Sequence, residues 1–233
     1  MESDKKNEEI EYLLLPIFGN SGVGKSLFFR KIFDSDLGDQ LIQSIGLDMR
    51  SYEPFSFGII DTPGNYSIMD GIKENTYTKV LYVAKLYILM YDASVNNSYE
   101  TQTFTTWIDF LQTQKKKCEV SKNKNYFFLL GSVDEAKKKY KIREIGDVLK
   151  DLQTMYKKTA PGYVFNDLGT IDIMKGSPEN ILSHIDEYVR DNNLRKTIYD
   201  KQEKYLKYLG LKYSDKILSK VEKESGYYSC SII

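Results

Sequence analysis

The sequence predicts an α/β fold in which a six-stranded, mostly parallel sheet carries helices on both of its faces. Apolar runs of strand length alternate with amphipathic segments along most of the chain, as expected for strands joined by helices. The 233 residues suffice for one substantial core, and no linker separates two large domains. We therefore expect one domain over residues 1–191, followed by a C-terminal extension over residues 192–233.

Six segments are predicted as strands, and the first is the run IEYLLLPIFG, which leads into a glycine-rich stretch. The segment from Gly46 to Asp61 alternates between apolar and polar residues on both sides of Glu53-Pro54, which predicts a hairpin of two strands. Two later runs are mainly apolar between their polar ends, as in buried parallel strands, and a third is a weaker strand candidate. These three runs are Lys85–Asp92, Asn125–Gly131 and Tyr163–Gly169.

Amphipathic segments between the strands predict the helices, and the first of them, KSLFFRKIF, directly follows the glycine-rich stretch. Beyond Asp191 the chain is rich in Lys and Tyr. Apolar residues from Leu206 to Val221 recur there at spacings of three and four, which predicts one or two further amphipathic helices. The remaining predicted helices are Ile68–Val83, Tyr99–Lys116, Ile142–Lys158 and Pro178–Arg190.

The composition indicates a cytoplasmic protein that binds no nucleic acid. Lys plus Arg and Asp plus Glu number 33 each, so no net charge would attract a polyanion. Two cysteines cannot form a disulfide framework, and the charged start MESDKKNEEI is unlike a signal peptide. No apolar run approaches the roughly 20 residues that span a bilayer.

The stretch GNSGVGKS, from Gly19 to Ser26, matches the P-loop pattern G-x-x-x-x-G-K-[ST] between a predicted strand and a predicted helix. Its backbone N–H groups would surround phosphates, Lys25 would add positive charge, and the hydroxyl of Ser26 would bind Mg²⁺. The alternative is a glycine-rich turn before an ordinary helix. The residues predicted to bind phosphate are Asn20, Ser21, Gly22, Val23, Gly24, Lys25, Ser26 and Leu27.

A second motif, GIIDTPGN, places the acidic residue Asp61 at the end of an apolar strand. A carboxylate there would support Mg²⁺ through a bound water, and the N–H group of Gly64 would meet a terminal phosphate. Taken alone, the segment could be only a turn after a strand. Its position thirty-five residues after Ser26 favours the nucleotide interpretation.

These motifs resemble those of the Ras superfamily of small GTP-binding switch proteins, and the Rab branch in particular. SIGLDM is similar to the Rab effector-region sequence Thr-Ile-Gly-Val-Asp-Phe, DTPGN is similar to Asp-Thr-Ala-Gly-Gln, and the likeness extends over residues 10–190. Ser44 follows Ser26 by eighteen residues, which is the family's spacing for the hydroxyl that reaches Mg²⁺. An ordinary loop serine is the alternative for Ser44.

The resemblance implies a small G domain of the P-loop NTPase class. Such a domain is a monomeric switch that binds GTP or GDP with Mg²⁺ as cofactor, in vesicle trafficking or signalling. Ser26, Ser44 and Asp61 would hold the metal. The segments Gln40–Tyr52 and Gly64–Tyr77 would contact effector and regulatory proteins.

Three residues near the phosphates depart from the family pattern. Asn65 replaces the glutamine that orients the attacking water and is shorter by one methylene, so we expect slow hydrolysis of GTP. Pro63 fixes φ and removes an N–H group in a loop that normally changes shape. Leu37 stands where an aromatic ring would stack on the base, so we expect weaker stacking.

The guanine-recognition motif departs furthest, because the strand NYFFLL is followed by GSVDEA instead of Asn-Lys-x-Asp. One register places Ser132, Val133, Asp134 and Glu135 on the motif. A shift of one places Asp134 on the specificity aspartate, which we favour because a carboxylate accepts two N–H bonds from guanine. The lysine is absent in both registers, and neither DLGT nor IMKG reproduces the fifth element, Ser-Ala-Lys. We expect weaker GTP binding or relaxed base selectivity.

The last four residues, CSII, fit the C-a-a-X pattern for prenylation of Cys230. A chance cysteine is the alternative. Seven lysines between Lys201 and Lys223 outnumber three acidic residues, and they would either favour an anionic leaflet or form a solvated helix face. With the lipid, we expect the protein on the cytosolic face of a membrane.

Two functional hypotheses follow from these residues. The first is a slow GTPase that acts as a membrane-tethered switch, and the intact P-loop favours it. The second is a pseudo-GTPase, an interaction module that binds nucleotide weakly or permanently, and Pro63 with the altered base motifs favours it. An ATPase or kinase is disfavoured, because no separate acceptor or base residue is evident.

Overall fold

The structure, a computed structural model, describes residues 12–33, 48–64, 76–93, 99–117, 124–133 and 145–208. The strands are β1 (Leu13–Phe18), β2 (Asp48–Tyr52), β3 (Phe57–Asp61), β4 (Leu86–Asp92), β5 (Asn125–Val133) and β6 (Tyr163–Asp172). They form one sheet in the order β2-β3-β1-β4-β5-β6, in which β2 is antiparallel to β3 and the other neighbouring strands are parallel. The predicted α/β architecture with a six-stranded, mostly parallel sheet is confirmed.

Helices cover both faces of this sheet. They are α1 (Lys25–Phe33), α2 (Thr76–Val83), α3 (Tyr99–Lys117), α4 (Ile145–Thr159), α5 (Pro178–Asp191) and α6 (Arg195–Tyr208). Side chains alternate along each strand, so Leu13 and Leu15 face the layer of α1 and α5, whereas Leu14 faces the layer of α2, α3 and α4. The predicted starts of two helices, at Ile68 and Ile142, lie outside the described residues.

The predicted hairpin around Glu53-Pro54 is confirmed. A single 3₁₀ turn at Glu53–Phe55 joins β2 to β3, and Ser56 closes it with φ +50° and an N–H bond of 3.0 Å to the carbonyl oxygen of Glu53. Antiparallel pairing then runs from Tyr52 opposite Phe57 to the far end of both strands.

Strand β6 continues past its predicted end at Gly169. Leu129 pairs with Asp167 and Gly131 with Thr170, so β6 holds one more residue than β5 in this interval. Gly169 accommodates the bulge with φ +74°, and its N–H group donates to Oδ1 of Asp167 at 2.5 Å. A glycine in a strand ordinarily weakens it, but here the bulge lets the pairing resume.

Helix α6 lies beyond Asp191 and packs back against the domain. Of the periodic residues on which the predicted helix rests, Leu206 lies in α6, and those from Leu209 to Val221 lie outside the described residues. Ile198, Gln202 and Leu206 lie on successive turns and are all buried, and the helix contacts β1 and α2. Ile198 packs in the core on one side of the sheet, and Leu206 packs in the core on the other side. Helix α6 therefore contributes to both cores. Among the described helices, none has both the length and the apolar character that crossing a bilayer requires.

Candidate functional site

Strand β1 ends at a loop formed by residues Gly19–Gly24, which we call the glycine loop, and the chain then enters α1. Three residues of the loop have positive φ: Gly19 (+152°), Gly22 (+83°) and Gly24 (+90°). A β-carbon on Gly24 would lie 2.6 Å from Cγ1 of Ile173, so glycine is required there by contact as well as by φ. The amide of Phe28 donates to the carbonyl oxygen of Gly24 at 2.8 Å, so α1 begins where the loop ends.

The side chain of Lys25 folds back over the glycine loop. Its Nζ donates a hydrogen bond to the carbonyl oxygen of Asn20 at 2.8 Å, and the residue is 5% exposed. Burial lowers the pKa of Lys25 to about 8, and the carboxylate of Asp61 opposes part of that shift. At neutral pH the site therefore holds a largely protonated ammonium group near a carboxylate.

Asp61 is the last residue of β3, and its backbone pairs with Ile17 just before the glycine loop. Asp61 is 2% exposed and its neighbour Thr62 is fully buried. The hydroxyl of Thr62 donates to the carbonyl oxygen of Ile17 at 2.6 Å, which ties the exit of β3 to the exit of β1. This bond holds the acidic residue beside the loop.

Beyond β3 the chain crosses the glycine loop at contact distance. A β-carbon on Gly64 would lie 2.5 Å from both the Cα and the N atom of Ser21. Real β-carbons do not approach backbone atoms so closely, so the crossing requires a glycine. The structure thus brings the DTPG segment and the glycine loop together.

The segment predicted to recognise a base lies at the end of β5, on the same edge of the sheet. The hydroxyl of Ser132 donates to the carbonyl oxygen of Tyr91 at 3.0 Å, and Ser132 is buried. The carbonyl oxygen of Val133 accepts the N–H group of Ile173 at 3.2 Å. These bonds join the ends of β4, β5 and β6. The hydroxyl of Ser132 is thus hydrogen-bonded to the neighbouring strand.

A turn at Asp172–Gly176, between β6 and α5, also borders the glycine loop, and the sequence did not indicate it. Oδ1 of Asp172 accepts the N–H groups of Met174 at 2.9 Å and Lys175 at 3.2 Å, which closes the turn. Lys31 of α1 donates from Nζ to the carbonyl oxygen of Met174. The segment IMKG, residues 173–176, lies in this turn and lacks the Ser-Ala-Lys pattern. The signal for a turn that the sequence did contain is Asp172, four residues before Gly176.

The structure brings residues 20–27 together with Asp61 and Gly64 at the carboxyl ends of β1 and β3. Ser26 and Leu27 lie in the first turn of α1 and are half-buried. The other predicted residues lie outside the described part of the chain: Leu37, Ser44, Asn65, Asp134 and Cys230. No protein-family model matches the chain, and no curated protein matches it.

Proposed function

We propose that the protein is a nucleotide-binding switch of the Ras and Rab type, with a small G domain of the P-loop NTPase class. It would bind guanine nucleotide with Mg²⁺ and hydrolyse GTP slowly. The observation that carries the proposal is the Lys25 side chain, which is held over the glycine loop by its bond to Asn20 and lies near Asp61. A buried cation, a carboxylate and a glycine-rich backbone suit a bound phosphate with its metal ion.

The glycine loop suits phosphate because its backbone is open to close approach. At Gly64 and Ser21 two backbone segments meet with no room for a β-carbon, so no side chain stands between them. The amino end of α1 adds further N–H groups and the positive end of its dipole. Lys25 contributes the charge, and a phosphate beside it would raise its pKa again.

Ser26, Ser44 and Asp61 would hold Mg²⁺, the serines by their hydroxyls and Asp61 through water. When bound, the metal ion neutralises charge on the outer phosphates. Asp61 fits this role because the bond from Thr62 fixes the end of its strand beside the loop. Asn65 would position the attacking water poorly, which is the basis for the slow hydrolysis.

Asp134 would read guanine by accepting N–H bonds from the base. The residue directly before it, Val133, ends β5, and its carbonyl oxygen accepts the N–H group of Ile173. The turn at Asp172–Gly176 contacts Gly24 through Ile173 and would border the base from the side of β6.

A pseudo-GTPase is the second candidate, and the bond between Ser132 and Tyr91 favours it. The side chain at one position of the base motif is engaged in the sheet. The carboxylate of Asp172 likewise closes its own turn. The side chains of Ser132 and Asp172 would then stabilise the fold instead of binding a base. The protein would present fixed surfaces to its partners.

In either form, prenylation of Cys230 would tether the protein to the cytosolic face of a membrane. Effector and regulatory proteins would contact Gln40–Tyr52 and Gly64–Tyr77, as in vesicle trafficking or signalling.

Nucleotide content and affinity test the proposal. Nucleotide that co-purifies is extracted and identified, and the stripped protein is titrated with GTP, GDP and ATP in the presence of Mg²⁺. We expect GTP and GDP to bind more tightly than ATP. Lys25→Met should weaken binding at least about tenfold, and Asp134→Ala should remove the preference for guanine.

Lys158→Met, which changes an exposed lysine of α4, is the matched control and should leave all three affinities unchanged. Binding without measurable turnover would favour the pseudo-GTPase. Failure of all three nucleotides to bind would contradict the switch.

A further inference from the structure

The face of α6 that packs on the domain contains a buried polar residue. Gln202 is 0% exposed and lies between Ile198 and Leu206, one turn from each. Neither the amide nitrogen nor the amide oxygen of Gln202 has a hydrogen-bond partner among the described residues. A buried polar group without a partner costs about 1 to 3 kcal/mol, so a residue of this kind in a helix interface requires a physical reason.

Lys85 is buried beneath the same helix. It connects α2 to β4, is 1% exposed, and its Nζ has no hydrogen-bond acceptor within the described part of the chain. The Nζ atom lies 5.5 Å from the ring centre of Tyr205. Because Tyr205 is one turn from Gln202, the ammonium group and the amide lie on the same side of α6.

A second buried lysine in this region is fully bonded. Nζ of Lys115 donates to the carbonyl oxygen of Ala84 at 2.9 Å and to Oδ1 of Asn125, and it lies 4.8 Å from the ring centre of Tyr87. Among the described residues, the fold therefore supplies hydrogen-bond acceptors for Nζ of Lys115 and none for Nζ of Lys85, which lies near the ring of Tyr205.

Another lysine, Lys201 of α6, lies close enough to Lys85 for its charge to act on the Lys85 ammonium group. Burial lowers the pKa of Lys85 to about 8, and the charge of Lys201 on α6 lowers it as well. Burial also lowers the pKa of Lys115 well below its ordinary value, and the charge of Lys85 adds to that shift. Within the described residues, neither pKa is raised by a neighbouring carboxylate.

The acidic residues of α6 next to this cluster bind elsewhere. Asp200 pairs with Lys196 at 3.2 Å, and Glu203 pairs with Lys207 at 2.7 Å. The repulsion between Lys85 and Lys201 is thus not offset by these two carboxylates.

We propose that Lys85, Lys201 and Gln202 form a binding site for a small oxyanion, of the class of inorganic phosphate or sulfate, between α6 and the amino end of β4. The oxyanion would accept hydrogen bonds from Nζ of Lys85 and from the amide nitrogen of Gln202, and its charge would offset the repulsion among the lysines. Because both side chains are enclosed, the ligand is a small ion and not part of a polymer. The bound ion would link α6 to the domain.

This site is separate from the candidate nucleotide site. Lys85 lies at the amino end of β4, whereas the glycine loop lies at the carboxyl end of β1, and the two strands are parallel neighbours. The two sites therefore lie at opposite ends of these parallel strands. The inference does not depend on the proposed function.

Calorimetric titration of the full chain with inorganic phosphate tests the inference. Lys25→Met serves as the background, so that the glycine loop does not contribute. We expect saturable binding that Lys85→Met and Gln202→Leu each weaken at least about tenfold, because each removes one charged or polar partner. Lys196→Met, at an exposed position of the same helix, should bind phosphate as the background does.

Thermal unfolding at constant ionic strength provides a second measurement. Phosphate should raise the Tm of the Lys25→Met background, and it should leave the Tm of Lys25→Met/Lys85→Met unchanged. Three results would contradict the proposed site. They are no saturable binding of phosphate, an affinity that is unchanged in both Lys85→Met and Gln202→Leu, and a loss of affinity in Lys196→Met as large as in these two variants. Equal stabilisation of every variant would be a general salt effect and would also count against it.

Discussion

Gly24 and Ile173 are in direct contact, since a β-carbon on Gly24 would lie 2.6 Å from Cγ1 of Ile173. Gly24 ends the glycine loop, and Ile173 begins the turn after β6. Further along α1, Lys31 bonds to the carbonyl oxygen of Met174 in the same turn. The start of α1 is therefore held against a segment from the far end of the domain.

Gly24→Ala should destabilise the protein by about 2 to 4 kcal/mol. Alanine is strained at φ +90°, and its β-carbon would strike Ile173. Urea unfolding measures the loss. Adding Ile173→Ala should improve nucleotide binding relative to Gly24→Ala alone, because it removes the clash.

Gly146→Ala is the control for this substitution. A β-carbon on Gly146 would meet no heavy atom within 4 Å, and the residue lies in α4. We expect its stability to be unchanged or to rise by up to about 1 kcal/mol. If Gly24→Ala and Gly146→Ala lose equal stability, the contact between Gly24 and Ile173 is not the cause of the loss.

Asp61→Asn should reduce the effect of Mg²⁺ on nucleotide affinity. The amide keeps the shape of the buried side chain but removes the charge that would support the metal. The ratio of GDP affinities with and without Mg²⁺ should fall at least about tenfold, and affinity in a chelator should change little. Asp151→Asn changes an exposed aspartate and is the control, and its ratio should equal that of the unsubstituted protein. If Asp61→Asn gives this same ratio, Asp61 does not support the metal.

Asn65→Gln should speed GTP hydrolysis several-fold. The longer amide would reach further toward the attacking water in the proposed hydrolysis. Single-turnover hydrolysis of bound GTP measures the rate, with Asn65→Ala as the matched variant that holds no water. If all three proteins fail to release phosphate, the pseudo-GTPase is the better description.

Lys85→Met should stabilise the protein at pH 7 in a buffer free of oxyanions. The pKa of Lys85 is about 8 in the folded protein and 10.5 ordinarily, so below pH 8 both states are protonated and burial of the charge opposes folding by about 3 kcal/mol. From pH 8 to 10.5 the unfolded chain binds more protons, so the stability of the unsubstituted protein rises with pH.

The advantage of Lys85→Met should therefore be greatest below pH 8 and vanish above pH 10.5. Urea unfolding at a series of pH values measures the difference between the two proteins. A difference that does not change with pH would show that the charge of Lys85 is not the cause. Lys196→Met should stay within about 0.5 kcal/mol throughout.

Arg195→Met should loosen the start of α6. One guanidinium nitrogen of Arg195 bonds to Oδ1 of Asp186 at 2.6 Å and to the carbonyl oxygen of Phe55 at 2.8 Å, and the group lies 5.7 Å from the ring centre of Phe57. The loss should be about 1 to 2 kcal/mol, because the site is partly exposed. Hydrogen exchange should increase across α6 in this variant, and Arg190→Met, which is more exposed, should change it little.

The apolar run of β1 and the pattern GNSGVGKS were sufficient to predict a strand, a glycine-rich turn and a helix in that order. The hairpin around Glu53-Pro54 was predicted for the same reason. Each of these features depends on residues that are neighbours in the chain, where side-chain period and turn chemistry act over a few residues.

Other features depended on how distant segments pack. The bulge at Gly169 extends β6 only because β5 lies beside it, and this extension brings Ile173 to Gly24. The sequence places Lys85 at the start of a strand, and the structure buries it near the Tyr205 ring of α6. Burial and contact between remote residues arise when the whole chain closes its core, so the tertiary structure alone decided them.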